Sequence, residues 1–505
     1  MNLDNLIEQK EQDMALTNES QPEKIPIVDA DDFSEPTQEN DGLGNERLEE
    51  VPLPSGIVGE TAHWILDRCE KPFRPFGILA ALSVWSLLLA RRVRFQNQTP
   101  VFYGIMAATT SNGKDTPPRL VRTILQQIGL SSSHFCGRLS SWNAGIETLA
   151  RCWQHPAVLS LADEAAGYLD MARAGRYGLL DLLKTGWSST LGMLDPQGRT
   201  KKAGSTQLTS IHHPALSMLM SAQPNRLGEA VRSSQLDDGF LPRSIWAVRR
   251  DFVTTIDEVA LDQSHRLEDT EEGRRILHRG REIWNWLCGN DAQFGTMAKL
   301  EALPAPQPGK EDIEPVRHEV WAEPVSFDAN TKARTIFSDF VRLTQKQIKP
   351  AADGMTGPQG FLWGKAAENA KRLALLLAAA RCAALPGIEN LILESEAIWA
   401  VRFVEASVRD GIQWSRDNMA DTHFQKRVKT VLAFIQRQPG QMTTKSRLTR
   451  GLQHSCSTRD LNDVLESLLQ AGTVECIYIR TPGRTAEGYR LVKPSTNRDE
   501  SVQKG

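Results

Sequence analysis

"MAATTSNGKDTPPRL", residues 106–120, decides how the rest of the chain is read. Gly113-Lys114 closes a G-x-x-x-x-G-K spacing in which Ala108 stands in the place of the first glycine. Asp115 occupies the position where such loops carry Ser or Thr. In a loop of this kind, backbone N–H groups and the N-terminus of the following helix point at β- and γ-phosphates, and a lysine adds a compact positive charge. Lys114 is that lysine, and Asn112, Gly113, Asp115 and Thr116 complete the candidate phosphate contacts. Pro117 and Pro118 suit a helix's first turn, where a missing N–H costs little. The apolar run "TPVFYGIMAA" (99–108) enters the loop, so strand, loop and helix follow in that order.

Working outward, the same alternation continues. "HFCGRLSS" (134–141) and "HPAVLSLADEAA" (155–166) read as strands, with helical segments "PPRLVRTILQQIG" (117–129) and "NAGIETLARCW" (143–153) between them. Strands alternating with helices predict an α/β fold with a parallel sheet and crossovers. A phosphate loop also needs a carboxylate on a second strand to hold Mg²⁺ and a base to polarise water. Asp163 and Glu164, at the end of an apolar strand about fifty residues after the lysine, fit those two roles. The same two acids would equally cap a helix beginning at Ala165. "PALSMLMSAQPNRLG" (214–228) is an apolar strand ending at Gln223, where a γ-phosphate sensor would sit. "LDDGFLPRSIWAV" (236–248) places Arg243 before another apolar run. An arginine supplied by a neighbouring subunit can neutralise charge on a transferring phosphoryl group, so this role requires a homo-oligomer.

The regional balance of charge and hydrophobicity frames these motifs. The 505 residues are 40% hydrophobic, enough for two or three domains. There is no run of eighteen uncharged apolar residues and no basic-then-apolar leader, which predicts a cytoplasmic protein without a membrane span. Seven scattered cysteines without a Cys-x-x-Cys pair argue for reduced thiols and against structural zinc. Residues 1–50 carry fifteen acidic and three basic residues, the composition of a disordered acidic arm. Residues 51–95, with "FGILAALSVWSLLLARRV" (76–93), read as a helical N-terminal prefix, 96–255 as the ATPase core that holds the motifs above, and 256–420 as a helical region with an insertion, for which the lid role is what a family resemblance implies.

Between residues 424 and 493 the charge reverses, with twelve Lys or Arg against five Asp or Glu. Three helical stretches there, the third capped by Ser457 or Thr458, precede two strands around a Pro-Gly turn, a winged helix-turn-helix pattern over 421–493. Arg459 and Asn462 lie early on the recognition helix, and Arg480 and Arg484 on the wing. Asp463 and Glu466 share that helix, so a protein-binding role stays open beside DNA binding. Residues 494–505 read as a frayed tail.

The prefix, the loop ending in Gly-Lys-Asp, "LADEAAG" (161–167) and "DGFLPRSIW" (238–246) together resemble the AAA+ primase-helicase-like ATPases of mobile genetic elements, a domain family of unknown function in phages, plasmids and islands. That family's motor is similar to the minichromosome-maintenance class of replicative helicases. The resemblance runs from about Val51 to Asp417 and implies a P-loop AAA+ core with a helical prefix and lid, using ATP and Mg²⁺. In such families Asp follows the loop lysine in some members, and a carboxylate there can still reach Mg²⁺. The resemblance assigns Lys114 to phosphates, Asp163 and Asp115 to magnesium, Glu164 to water activation, Gln223 to sensing and Arg243 to the trans finger. It also makes "GKAAENAKRLALLLAAA" (364–380) the lid helix, with Arg372 as its second sensor. In related motors a hairpin before the first sensor tracks nucleic acid in a central channel. Here that segment is "DPQGRTKKAGSTQLTSI" (195–211), with Arg199, Lys201 and Lys202 as its phosphate contacts.

The implied function is an ATP-dependent DNA-translocating motor, the replicative helicase of a mobile element, assembled as a hexameric ring on single-stranded or forked DNA. The alternatives are a DNA-binding initiator or loader, and a nucleotide-switch ATPase of defence or regulation that hydrolyses without unwinding. No primase-like carboxylate cluster is evident, so primer synthesis would need a primase or initiator partner.

Overall fold

The computed structural model describes residues 46–152, 157–173, 178–188, 190–195, 210–231, 239–288, 324–352, 359–383, 385, 387–418, 423–453, 456–470, 472–481 and 484–492. The acidic arm up to residue 45 and the C-terminal tail lie outside the described residues. The chain divides into two compact units, one over residues 42–420 and one whose described part is 423–492.

The larger unit is α/β. It begins with α1 (Ile57–Leu66) and α2 (Arg74–Leu89). Beyond Arg74 every residue of α2 is buried, so this helix has no polar face and behaves as a core element. Trp85 Nε1 donates to Thr61 Oγ1 at 2.9 Å and ties it to α1. The short strand β1 (Val93–Phe95) follows.

The main sheet has five parallel strands, β2 (Tyr103–Ala107), β3 (Phe135–Cys136), β4 (Ala157–Ala162), β7 (Ala215–Ala222) and β8 (Ile245–Val248), in the spatial order β3-β4-β7-β2-β8. Every residue of β2, β4, β7 and β8 is buried, as expected of a parallel sheet covered on both faces. Helix α3 (Thr116–Ile128) links β2 to β3, and α4 (Trp142–Arg151) links β3 to β4. Between β4 and β7 come α5 (Ala166–Arg173), α6 (Gly178–Ser188) and the antiparallel pair β5 (Met193–Leu194) and β6 (Ile211–His212). Helix α7 (Pro224–Ala230) joins β7 to β8. Leaving β2, the chain crosses to the far edge at β3 and returns strand by strand to β7; it then passes to the other side of β2 as β8. The direction of crossover therefore reverses at the β2–β7 boundary, and parallel sheets open a binding crevice at the carboxyl ends of strands at such a point.

The region after the sheet is mostly helical, with α8 (Glu271–Cys288), α9 (Thr331–Ala352), α10 (Ala366–Cys382) and α11 (Glu394–Asn418). It also contributes β9 (Val325–Ala329) and β10 (Leu391–Ile392), which join β1 in a second parallel sheet of order β1-β9-β10. β1 and β10, with three and two residues, carry too little periodicity to be read in advance. Helix α11 closes the exposed edge of β8: Ser407 Oγ accepts from Trp246 N at 2.7 Å, and Asp410 Oδ2 accepts from Val248 N at 2.6 Å. Side chains thus satisfy backbone donors that an edge strand would otherwise leave open. Among the described residues no helix is long and apolar enough to cross a membrane.

The smaller unit comprises α12 (His423–Gln436), β11 (Met442–Thr444), α13 (Lys445–Leu452), α14 (Thr458–Gln470), β12 (Val474–Thr481) and β13 (Arg484–Leu491). The three strands are antiparallel in the order β11-β13-β12. Its own core gathers Val431, Ile435, Leu448, Leu461, Val464, Leu465 and Tyr489. Of the two candidate caps for α14, Ser457 does the work, its Oγ accepting from Asp460 N at 3.2 Å.

Candidate functional site

The loop of residues 108–115 leaves β2 at the carboxyl edge of the main sheet. Ala108 is still part of the sheet's bonding: its N–H donates to Ala222 O at 3.0 Å, so that donor is already used. Beyond it the backbone folds sharply, with Ser111 at φ 59° and Gly113 at φ 86°. Gly113 is required twice over, by this left-handed conformation and because a Cβ there would lie 2.4 Å from Lys71 O. Asp115 then starts α3 and Thr116 is its first residue; Asp115 makes no side-chain cap bond and stands 73% exposed.

Lys114 is buried. Its ammonium lies 3.7 Å from Asp115 Oδ1, ion-pair distance but beyond a hydrogen bond. A buried ammonium held so loosely retains donor capacity for an anionic oxygen. Ser221, the penultimate residue of β7, joins the loop to the neighbouring strands. Its Oγ donates to Lys114 O at 3.3 Å, and its carbonyl accepts from Ala165 N at 2.8 Å. The turn carrying Asp163 and Glu164 is thereby tied to the same residue as the loop. β4 and β2 flank β7, which sets the acid pair about 10 Å from the loop at ordinary strand spacing.

Asp163 is exposed and Glu164 half-buried. Glu164 Oε1 accepts from Ala166 N at 3.2 Å, so this acid does cap α5 while its second oxygen remains for other work. Gln223, directly after β7, donates from Nε2 to Thr110 Oγ1 at 3.1 Å. Lys114, Asp115, Asp163, Glu164 and Gln223 are therefore brought to one edge of one sheet by three different stretches of chain.

Asn112 has a different place from that expected. Its side chain is fully buried, with Nδ2 donating to Asp251 O at 2.6 Å and Oδ1 accepting from Val253 N at 3.2 Å. It fastens the loop to the segment after β8, so only its backbone is left for a phosphate. Arg249 and Lys71 carried no signal in the sequence yet frame the loop. Buried Arg249 donates to Lys71 O at 2.9 Å and pairs with Asp251 at 3.2 Å, while Lys71 Nζ donates to Ser111 O at 2.8 Å.

Arg372 requires a correction. It is buried on α10, its Nη1 donating to Thr99 O at 2.9 Å and its Nη2 to Trp187 O at 2.8 Å, and its guanidinium lies 3.9 Å from the centroid of the Trp187 ring. Thr99 precedes β2, whereas the loop leaves the other end of that strand. Arg372 therefore sits at the amino edge and does not reach its own chain's loop of residues 108–115. Burial pushes its pKa down to about 10. Arg243 lies beside it, half-buried, donating to Gly239 O and, at 3.3 Å, to Ser188 Oγ. Its guanidinium is 5.2 Å from the same Trp187 ring, and burial lowers its pKa as well. A role for Arg243 in trans demands this remoteness from its own loop.

β5 and β6 pair antiparallel, with Met193 opposite His212 and Leu194 opposite Ile211. Trp142 Nε1 donates to Asp195 O at 2.9 Å and fixes that pair to α4. Arg199, Lys201 and Lys202 lie outside the described residues. In the smaller unit, Arg459 and Asn462 are exposed on α14, as are Asp463 and Glu466. Arg480 and Arg484 stand near the ends of the β12–β13 hairpin, opposite Thr485 and Thr481. No family model matches the chain, and no curated protein matches it.

Proposed function

We propose that this protein is an oligomeric Mg-ATP-dependent motor ATPase of AAA+ type that translocates on DNA, working as the replicative helicase of a mobile element. The observation that carries the reading is the convergence of a buried loop lysine, an acid pair and a polar strand-end glutamine at the carboxyl edge of one parallel sheet. The donor set suits a magnesium nucleotide: a buried ammonium without a close hydrogen-bonded carboxylate, beside exposed Asp115 and Asp163. Asp163 and Asp115 would hold Mg²⁺, which when bound neutralises phosphoryl oxygens and draws charge from the bond that breaks.

The protein's own groups then have distinct tasks. Lys114 places its charge against phosphate oxygens as charge develops there. Glu164, fixed through Oε1 by the Ala166 N–H, presents Oε2 to a water and accepts its proton. Gln223 keeps its amide beside Thr110 at the mouth of the loop. Arg243, remote from its own loop, completes the site of a neighbouring copy. The basic sequence between β5 and β6 is assigned to tracking DNA, and the smaller unit, read as a winged helix, adds a second nucleic-acid or protein contact.

A loader or nucleotide switch is the second reading, favoured by exposed Asp463 and Glu466 beside Arg459 and by the acidic residue after the loop lysine. Turnover of ATP with and without forked DNA, together with strand displacement, separates the two. For the motor, wild-type protein displaces strands and Glu164→Gln retains ATP while losing turnover by roughly 10²-fold or more. Turnover without strand displacement selects the second reading. Unchanged turnover in Glu164→Gln removes the proposed base.

A further inference from the structure

The segment after β8 exposes large apolar side chains that the phosphate site does not use. Phe252 is 64% exposed, and Ile256 and Val259 nearby are exposed as well. Phe252 is held in place although its ring is open. The residues on either side of it, Asp251 and Val253, are both bonded through their backbone to the buried side chain of Asn112, which directly precedes Gly113 and Lys114. Arg249 and Asp251 brace the same stretch through their ion pair. Across from it, Lys71 donates to Ser111 O in the loop and sets its ammonium 5.6 Å from the Phe252 ring centroid. An aromatic ring held open at a fixed point beside this loop is a surface on which a flat π-face can stack.

We propose that Phe252, with Lys71 beside it, is the platform on which the nucleobase of the bound nucleoside triphosphate stacks. This rests on the loop being a nucleotide site. The occupant follows from continuity: the phosphates lie along residues 111–114, and the clamp from Asn112 to both neighbours of Phe252 puts the ring within a nucleotide's length of them. A base presents a flat π-face to an aromatic ring whatever its edge pattern, so the platform supplies affinity for nucleosides in general and little discrimination among bases. Lys71, bonded to the loop and lying against the ring, connects the two halves of the ligand's site.

Calorimetric titration of the full-length protein with ATP and, separately, with inorganic tripolyphosphate tests this. Wild-type protein is expected to bind ATP more tightly than tripolyphosphate. Phe252→Ala should weaken ATP about tenfold and leave tripolyphosphate unchanged, while Phe252→Trp keeps ATP affinity. Equal affinity of Phe252→Ala and wild type for ATP overturns the platform, and so does an equal loss for both ligands, which would mean general damage to the loop. An effect of Phe252→Ala on self-association alone, with ATP binding intact, overturns it in favour of a subunit contact. If wild-type protein binds neither ligand, the nucleotide site itself is wrong and both readings fall together.

Discussion

The two edges of the main sheet hold basic residues of opposite kinds. At the carboxyl edge Lys114 is buried but only loosely paired, and the acids near it are exposed or half-buried. At the amino edge Arg372 bonds two backbone carbonyls through its two Nη atoms and packs on an indole ring, its buried Nε having no partner, and Arg243 lies against the same ring. Burial alone therefore does not distinguish a ligand-binding cation from a structural one. The difference lies in what the protein already bonds to the charged group's terminal nitrogens: a guanidinium whose two Nη atoms bond Thr99 O and Trp187 O holds elements together, whereas an ammonium 3.7 Å from its partner is available.

Three substitutions break or sharpen this contrast. The largest effect is expected at Arg243, the residue we propose completes the site of a neighbouring copy. Arg243→Ala should keep ATP affinity and slow turnover by roughly 10³-fold, with partial recovery on mixing with Lys114→Ala protein, because one mixed interface pairs an intact loop with an intact arginine. No recovery in mixed oligomers that demonstrably form would place Arg243 with Arg372 as purely structural. Next comes Arg372→Ala, which removes both carbonyl partners and the ring contact. Urea denaturation should show a loss of about 3 kcal/mol with ATP affinity unchanged. A variant as stable as wild type but impaired in ATP binding would return Arg372 to a sensing role and erase the distinction between the edges.

The smallest effect concerns Asp115. If its carboxylate takes the place of the usual hydroxyl at magnesium, Asp115→Ala should raise the Mg²⁺ needed for half-maximal turnover by roughly tenfold, and Asp115→Ser should restore most of it. If Asp115 restrains hydrolysis, both variants turn over faster, since each removes a negative charge beside the triphosphate. A magnesium titration of ATPase activity distinguishes the outcomes. Unchanged behaviour in Asp115→Ala would leave the residue only its place at the start of α3.

Much of the site was legible because it is local. β2, β4, β7 and β8 are mostly apolar runs, and those of β4, β7 and β8 give way at once to polar residues, which announces buried strands and the edge at which they end. Asp163, Glu164 and Gln223 could be found by that rule, and Lys114 by the spacing of its loop. The second sheet was not legible, because β1 and β10 have three and two residues and gain their identity only by pairing with β9.

The sequence by itself determined the strand–loop–helix at residues 103–128, the acid pair and the separate basic unit, because short-range backbone geometry and hydrophobic runs are encoded in neighbouring residues. Tertiary structure decided everything that depends on partners distant along the chain. Arg372 lies on a helix whose buried residues extend around most of its surface, so no pattern showed which way its guanidinium would turn; carbonyls at Thr99 and Trp187 decided it. Lys71, Ser221, Arg249 and Phe252 come to the loop of residues 108–115 only when the prefix, β7 and the segment after β8 pack around it. A side chain's chemistry is set by what fills its donors and faces, and those neighbours are chosen by folding.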